Sequence, residues 1–160
     1  MKEKWKQLLI CIALPLIVGG ISALLTRNSM DTFAALNKPL LSPPGWLFPV
    51  VWTILYVLMG VASYLVLTSE KEQWKIKQAL WFYKLQLCVN FFWSIYFFIL
   101  SVYLFSFIWL LLLWILIIGT TIRFYRITNW AGYLMIPYLL WVTFAGYLNY
   151  SIYLLSRPHP

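Results

Sequence analysis

The sequence predicts an all-α membrane protein, a bundle of five transmembrane helices. Three observations carry this reading. The 160-residue chain is 63% apolar and only 10% charged, with a mean hydropathy of +0.82, which is too little charge to coat a water-soluble domain of this length. Five apolar stretches each reach the roughly 20 residues that a helix needs to cross a hydrocarbon core about 30 Å thick. The lysines and arginines sit at the edges of those stretches, where they anchor and orient membrane segments. The length fits one domain, residues 1–160.

The expected spans are Gln7–Thr26, Trp46–Thr68, Ala79–Ser101, Tyr103–Arg123 and Ala131–Leu155. Lys2, Lys4 and Lys6 ahead of the first run also fit a secretory signal peptide. That run is longer than a signal core and four more spans follow, so a retained helix is expected, kinked at Pro15. The third and fourth runs join with almost no polar break. They are divided near Ser101 because one helix of their combined length would be about twice too long. With five spans, one face carries Lys2, Lys4, Lys6, Lys71, Lys75, Lys77, Arg123 and Arg126, and the other Arg27, Lys38 and Arg157. Eight against three predicts a cytoplasmic N-terminus and a C-terminus outside. Lys84, in the first third of its span, is expected to snorkel to that interface, with anion binding as the alternative.

The longest connection, Arg27–Gly45, contains Lys38-Pro39 and Ser42-Pro43-Pro44-Gly45, which restrict its backbone. It reads either as a stiff lid over the mouth of the bundle, with Pro39, Pro43, Pro44 and Gly45 as lid residues, or as a simple turn into the second helix. Cys11 and Cys88 lie inside apolar runs and read as small buried residues, not as a disulfide framework.

Ten tryptophans are present. Trp5, Trp46, Trp74, Trp81 and Trp130 fall near span ends, where indoles favour the headgroup region. Trp52, Trp93, Trp114 and Trp141 lie deeper, and an indole N–H in hydrocarbon needs a partner, so these should face other helices or a cavity. Asn90 lies near mid-membrane, where an unpaired amide costs several kcal/mol. Gln86, Trp93 and Phe97 share its helix face. Trp52 and Tyr56 form a similar pair on the second helix, and Tyr138, Trp141, Ala145 and Asn149 a similar stripe on the fifth. Such faces suit a planar, mostly apolar ligand with polar edges. They also suit polar groups that only hold helices together.

All four acids, Glu3, Asp31, Glu70 and Glu72, lie outside the spans, so no intramembrane carboxylate is available for proton coupling or cation binding. The single histidine is His159. No cluster has metal-ligand composition or spacing, and no nucleophile–base pair or phosphate-binding glycine loop is found. No metal site, catalytic residue or required cofactor is therefore expected. The net charge of +8 does not indicate nucleic acid, because the basic residues are spread along span edges and not gathered on one soluble face.

Three blocks carry a resemblance. They are Lys38-Pro39 through Ser42-Pro43-Pro44-Gly45-Trp46 to Phe48-Pro49-Val50-Val51-Trp52-Thr53-Ile54-Leu55-Tyr56, with Met59-Gly60; Leu85-Gln86-Leu87 with Asn90-Phe91-Phe92-Trp93-Ser94 and Phe97-Phe98; and Pro137-Tyr138-Leu139-Leu140-Trp141 through Asn149-Tyr150. From about residue 30 the chain resembles the TspO/MBR family, the tryptophan-rich sensory proteins related to the mitochondrial translocator protein. The resemblance implies a five-helix bundle, dimeric as a homodimer, in a bacterial cell membrane, with a ligand cavity beneath the first loop. It implies porphyrins such as protoporphyrin IX, haem-like tetrapyrroles, flat drug-like molecules, and in some members sterols, as ligands. The family's pocket positions match Trp52, Tyr56, Asn90, Trp93, Ser94, Trp141 and Ala145. Two departures stand out: Trp109 occupies a position that is acidic in many relatives, and Cys88 and Phe92 interrupt a small-residue dimer face on the third helix. Gly19 and Ala23 offer a small-xxx-small pair on the first helix. Leu148, Tyr153 and Arg157 fit the loose sterol-recognition pattern.

The leading expectation is a membrane receptor or carrier for tetrapyrroles in stress sensing or tetrapyrrole regulation. A light- and oxygen-dependent porphyrin-degrading enzyme, with the chemistry supplied by the ligand, and a small-molecule transporter are the alternatives.

Overall fold

A computed structural model describes residues 1–158; His159 lies outside them. Helix α1 spans Lys2–Thr26, a 3-10 turn covers Arg27–Ser29, and a short α2 spans Met30–Ala34. Then follow α3 (Leu47–Leu67), α4 (Gln73–Ser94, continued by a π turn at Ile95–Ile99), α5 (Tyr103–Ile127) and α6 (Asn129–Leu155). Among the described residues there is no strand, and five helices are long and apolar enough to cross a membrane. In hydrocarbon no water is available to the backbone, and only a closed ladder of internal hydrogen bonds is tolerated, which a helix supplies.

The local chemistry sets the boundaries. Pro43-Pro44-Gly45 precedes α3, and Pro49 sits in its first turn, where a missing N–H breaks no intrahelical bond. Helix α1 runs on through Pro15, which is buried. Between α4 and α5 the chain reverses at Ser101, whose φ of 53° is the only positive value at a non-glycine among the described residues. This is the left-handed region that turns a chain sharply. The reversal is tied by Leu100 N–H to Ile95 O (3.0 Å) and Val102 N–H to Tyr96 O (3.1 Å).

The helices form a ring in the order α1, α3, α6, α5, α4, with α4 and its π turn closing against α1. The half of the ring nearer the N-terminus is solid. Met59, Ala62 and Val66 from α3, Ala79 and Tyr83 from α4, Ile117 and Phe124 from α5, and Met135 from α6 are all buried there. Small residues set the spacing. A Cβ on Gly60 would lie 2.5 Å from Ile12 Cα and 2.8 Å from Cys11 O, backbone that cannot swing aside. Gly60→Ala is therefore expected to cost about 1–3 kcal/mol through overpacking, despite alanine's better helix propensity. Thermal unfolding in detergent should show it, with Gly20→Ala, whose Cβ meets open space, as the unaffected control.

The lipid-facing surface agrees with the sequence. Trp5, Trp46, Trp74, Trp81 and Trp130 are all exposed, and so is Lys84. The cysteines depart from expectation: Cys88 is exposed on the outer face of α4 and Cys11 is half-buried, because an apolar run in a membrane helix has a lipid-facing side as well as an inner one. Gly19 and Ala23 do not present a free docking face. A Cβ on Gly19 would collide with the Tyr56 ring, so the glycine makes room for an aromatic of the same chain, and both residues border an internal cavity.

Candidate functional site

The other half of the ring is hollow. A cavity of about 320 Å³ opens beneath the first loop, walled by α1, α3, α4 and α6. Helix α5 takes no part in its wall. Each wall follows from helical spacing. Helix α3 supplies Phe48, Trp52 and Tyr56; α4 supplies Trp93 and Ser94, and its π turn Phe97 and Phe98; α6 supplies Trp141, Ala145, Leu148, Asn149 and Ile152. Helix α1 contributes the stripe Gly19, Ser22, Ala23 and Thr26, with Arg27 after it as the single charged residue in the wall.

The aromatics form a connected frame. Trp52 stacks on Tyr56 with ring centroids 5.5 Å apart and planes inclined by 28°. Trp93 stacks on Phe97 at 5.2 Å and 21°. Phe48 meets Trp141 edge-on at 5.8 Å. The loop closes the frame through α2. Phe33 is buried and packs on Phe48, Phe97 and Phe98 at 5.9, 5.9 and 5.4 Å. Lys38 fastens α2 by donating from Nζ to the carbonyls of Phe33 and Ala34, each at 3.1 Å.

The wall's polar groups differ in how they are used. Asn149 is a hub: its Oδ1 accepts from Trp93 Nε1 and Ser106 Oγ, both at 3.1 Å, and its Nδ2 donates to Tyr103 O at 2.8 Å. It thereby ties α6 to α4 and α5. The Trp141 Nε1–H, in contrast, is buried with no partner among the described residues. Ser22 and Thr26 are small hydroxyl residues on the α1 side, and the Thr26 hydroxyl donates back to Ser22 O at 2.9 Å.

Eight of the eleven ligand-binding candidates therefore line the cavity: Trp52, Tyr56, Trp93, Ser94, Phe97, Trp141, Ala145 and Asn149. Gln86, Asn90 and Tyr138 do not. They form a polar layer behind its floor, where Tyr138 Oη donates to Gln86 Oε1 at 2.7 Å and Asn90 Nδ2 donates to Tyr56 Oη at 3.3 Å. Gln86 and Asn90 are 0% and 2% exposed, so their amides are spent on the neighbouring tyrosines and hold helices together. Tyr138 touches the site only through Trp52, edge-on at 6.1 Å.

The lid and sterol-pattern residues can be placed as well. Of the four lid residues, Gly45 alone reaches the cavity; Pro39, Pro43 and Pro44 lie outside its wall, and within the same loop Arg27, Met30 and Phe33 line it, with Phe33 on α2 packed against Phe98. Leu148, Tyr153 and Arg157 do not share an outward face. Leu148 is buried in the cavity wall, whereas Tyr153 is half-buried and Arg157 exposed, its guanidinium 4.9 Å over the Tyr153 ring. Positions five residues apart point in different directions around a helix.

The α1 wall and Arg27 were not anticipated. Their signal is present as small or hydroxyl residues at Gly19, Ser22 and Thr26, spaced three and four apart. It is faint, because such residues blend into an apolar helix.

Comparison with known proteins agrees with this architecture. The TspO/MBR family profile matches residues 11–155. The tryptophan-rich protein TspO of Chlorobaculum tepidum is 37% identical over 153 residues, covering 95% of this chain and 97% of that protein. The tryptophan-rich sensory protein of Cereibacter sphaeroides is 37% identical over 125 residues, with 78% of this chain and 77% of that protein covered. The human translocator protein is 36% identical over 124 residues, with 76% and 72% covered. With five membrane-length helices and a family match over most of its length, the chain is an integral membrane protein and belongs to the TspO/MBR family.

Proposed function

We propose that the cavity binds a flat, largely apolar molecule with anionic or hydrogen-bonding edges, of tetrapyrrole type such as protoporphyrin IX or haem. The protein then acts as a membrane receptor or carrier with a sensory role, a reading that the name of the Cereibacter sphaeroides relative supports. One observation carries it. Trp52 and Trp141, from different helices, line one apolar hollow whose only charge is Arg27. Aromatic faces stack on a macrocycle, and a guanidinium pairs with a carboxylate. The cavity's 320 Å³ lies at the lower end of the roughly 300–1,000 Å³ of small-molecule sites. A macrocycle would accordingly enter edge first and leave its charged rim near Arg27.

Titrating protoporphyrin IX against tryptophan fluorescence in detergent tests the proposal. Saturable quenching is expected. Trp141→Ala should weaken binding roughly tenfold, since an aromatic contact contributes about 0.5–1.5 kcal/mol beyond the area it buries. Arg27→Gln should weaken protoporphyrin IX but leave its dimethyl ester unaffected. Absence of saturable quenching in the wild type would reject the tetrapyrrole reading.

A further inference from the structure

A second hollow lies at the opposite end of the bundle, on the face that carries the N-terminus. It is a crevice of about 410 Å³ between the first turns of α4 and the last turns of α5, lined by Trp74, Lys75, Gln78, Arg123 and Arg126 with Ile122 and Ile127. Its chemistry differs from the aromatic cavity's, because three of its seven wall residues, Lys75, Arg123 and Arg126, are cations.

The charges are unevenly matched. The only salt bridge among the described residues joins Lys75 to Glu72 at 3.0 Å. Glu72 also accepts from Trp74 Nε1 at 2.6 Å. Hydrogen bonds from Lys75 and then from Trp74 hold its carboxyl below the usual range. Glu72 is thus charged, and it is engaged by Lys75 and Trp74. Neither arginine has a carboxylate partner among the described residues. Arg126 is exposed. Arg123 is half-buried, with its guanidinium 3.7 Å over the Phe82 ring, and Nη1 donates to Gly119 O at 3.1 Å. Its Nε is buried with no acceptor. That atom is covered by protein, so the Nη2 side of the stacked guanidinium, which makes no hydrogen bond among the described residues, is the part that can meet an incoming oxyanion.

Depth identifies the kind of oxyanion. Trp74 is in the crevice wall in the first turn of α4, and Trp130 is exposed in the first turn of α6, at the same end of the bundle. Exposed indoles at helix ends mark the headgroup level of a bilayer. A basic pocket between helices at that level suits an acidic phospholipid. We infer that the α4–α5 crevice is a binding site for a phosphate group, and that an anionic phospholipid headgroup occupies it, with Arg123 and Arg126 as the principal ligands and Trp74 against the glycerol region.

The experiment is native mass spectrometry of the full chain released from micelles containing equal amounts of phosphatidylglycerol and phosphatidylcholine. One phosphatidylglycerol should persist at collision energies that strip phosphatidylcholine. A basic residue near a charged surface contributes about fivefold, so Arg123→Gln with Arg126→Gln should reduce retention about 25-fold. If that double variant fails to fold, Gln78→Glu supplies the test, since it sets a negative charge in an exposed part of the same wall and should displace the lipid. Lys77→Gln, on the same helix but outside the crevice, should change nothing. A parallel arm adds inorganic phosphate and follows thermal unfolding. Stabilisation by inorganic phosphate without selective lipid retention would keep the phosphate site but overturn the lipid as its occupant. Equal retention of the two lipids with no effect of phosphate would overturn the site itself.

Discussion

Replacing Asn149 with leucine is expected to destabilise the bundle by about 2–4 kcal/mol. The side chain keeps its size but loses three bonds, from Trp93 and Ser106 and to Tyr103 O. Ser106 Oγ keeps its bond to Tyr103 O at 2.9 Å, but Trp93 Nε1 loses its acceptor inside the bundle, and a buried group left without its bond costs about 1–3 kcal/mol. Measured side-chain bonds in membranes fall at the low end, averaging about 0.6 kcal/mol, which keeps the sum below a simple tripling of the upper value. Thermal unfolding in detergent reads the loss. Thr143→Val is the comparison, because it removes an exposed hydroxyl at the α5–α6 seam that accepts from Trp114 Nε1 and donates back to Leu139 O within its own helix. Equal shifts for the two variants would show that the hub contributes no more than a peripheral bond.

The second large effect is on binding and runs the opposite way for stability. Ala145 is 9% exposed, lines the cavity and stands one turn from Trp141. Ala145→Phe places a ring in the space where the proposed macrocycle would stack. Protoporphyrin IX affinity should fall about 100-fold, close to 2.7 kcal/mol, while the melting temperature holds or rises because a void is filled. Unchanged affinity in a folded variant would put the ligand elsewhere. The paired readout matters, since Trp141→Ala removes a contact and enlarges the void at once.

Most of the fold was legible because a bilayer admits so few solutions. Length, apolarity and the placement of lysine and arginine are enough to find five helices, and even the unmarked division at Ser101 follows from the thickness of hydrocarbon. The site was only partly legible, for a geometric reason. Helical periodicity reports the angle at which a residue projects from the axis but not its depth along it. Gln86, Asn90, Trp93 and Phe97 share a face of α4 and its continuation. Only Trp93 and Phe97 reach the hollow half, while Gln86 and Asn90 lie against Tyr138 and Tyr56. Cavity lining and adhesion therefore looked alike in sequence, and in the structure they occupy opposite ends of the same stripe. The loop misled for a different reason. Its prolines announce stiffness, but stiffness does not say which side chain is carried inward, and Phe33 has no local mark that separates it from any other phenylalanine.

The wide turn at Ile95–Ile99 has an evolutionary corollary. Five residues there cover what a regular helix would cover with about four, so the chain holds one residue in surplus. Deleting it would let the segment relax to ordinary winding and leave the hairpin at Ser101 in place. The phenyl of Phe97 would then swing by about 100°, away from Trp93 and Phe33. Relatives one residue shorter in this segment should therefore keep the bundle while offering a differently shaped chamber, and chain length here becomes a marker of ligand preference.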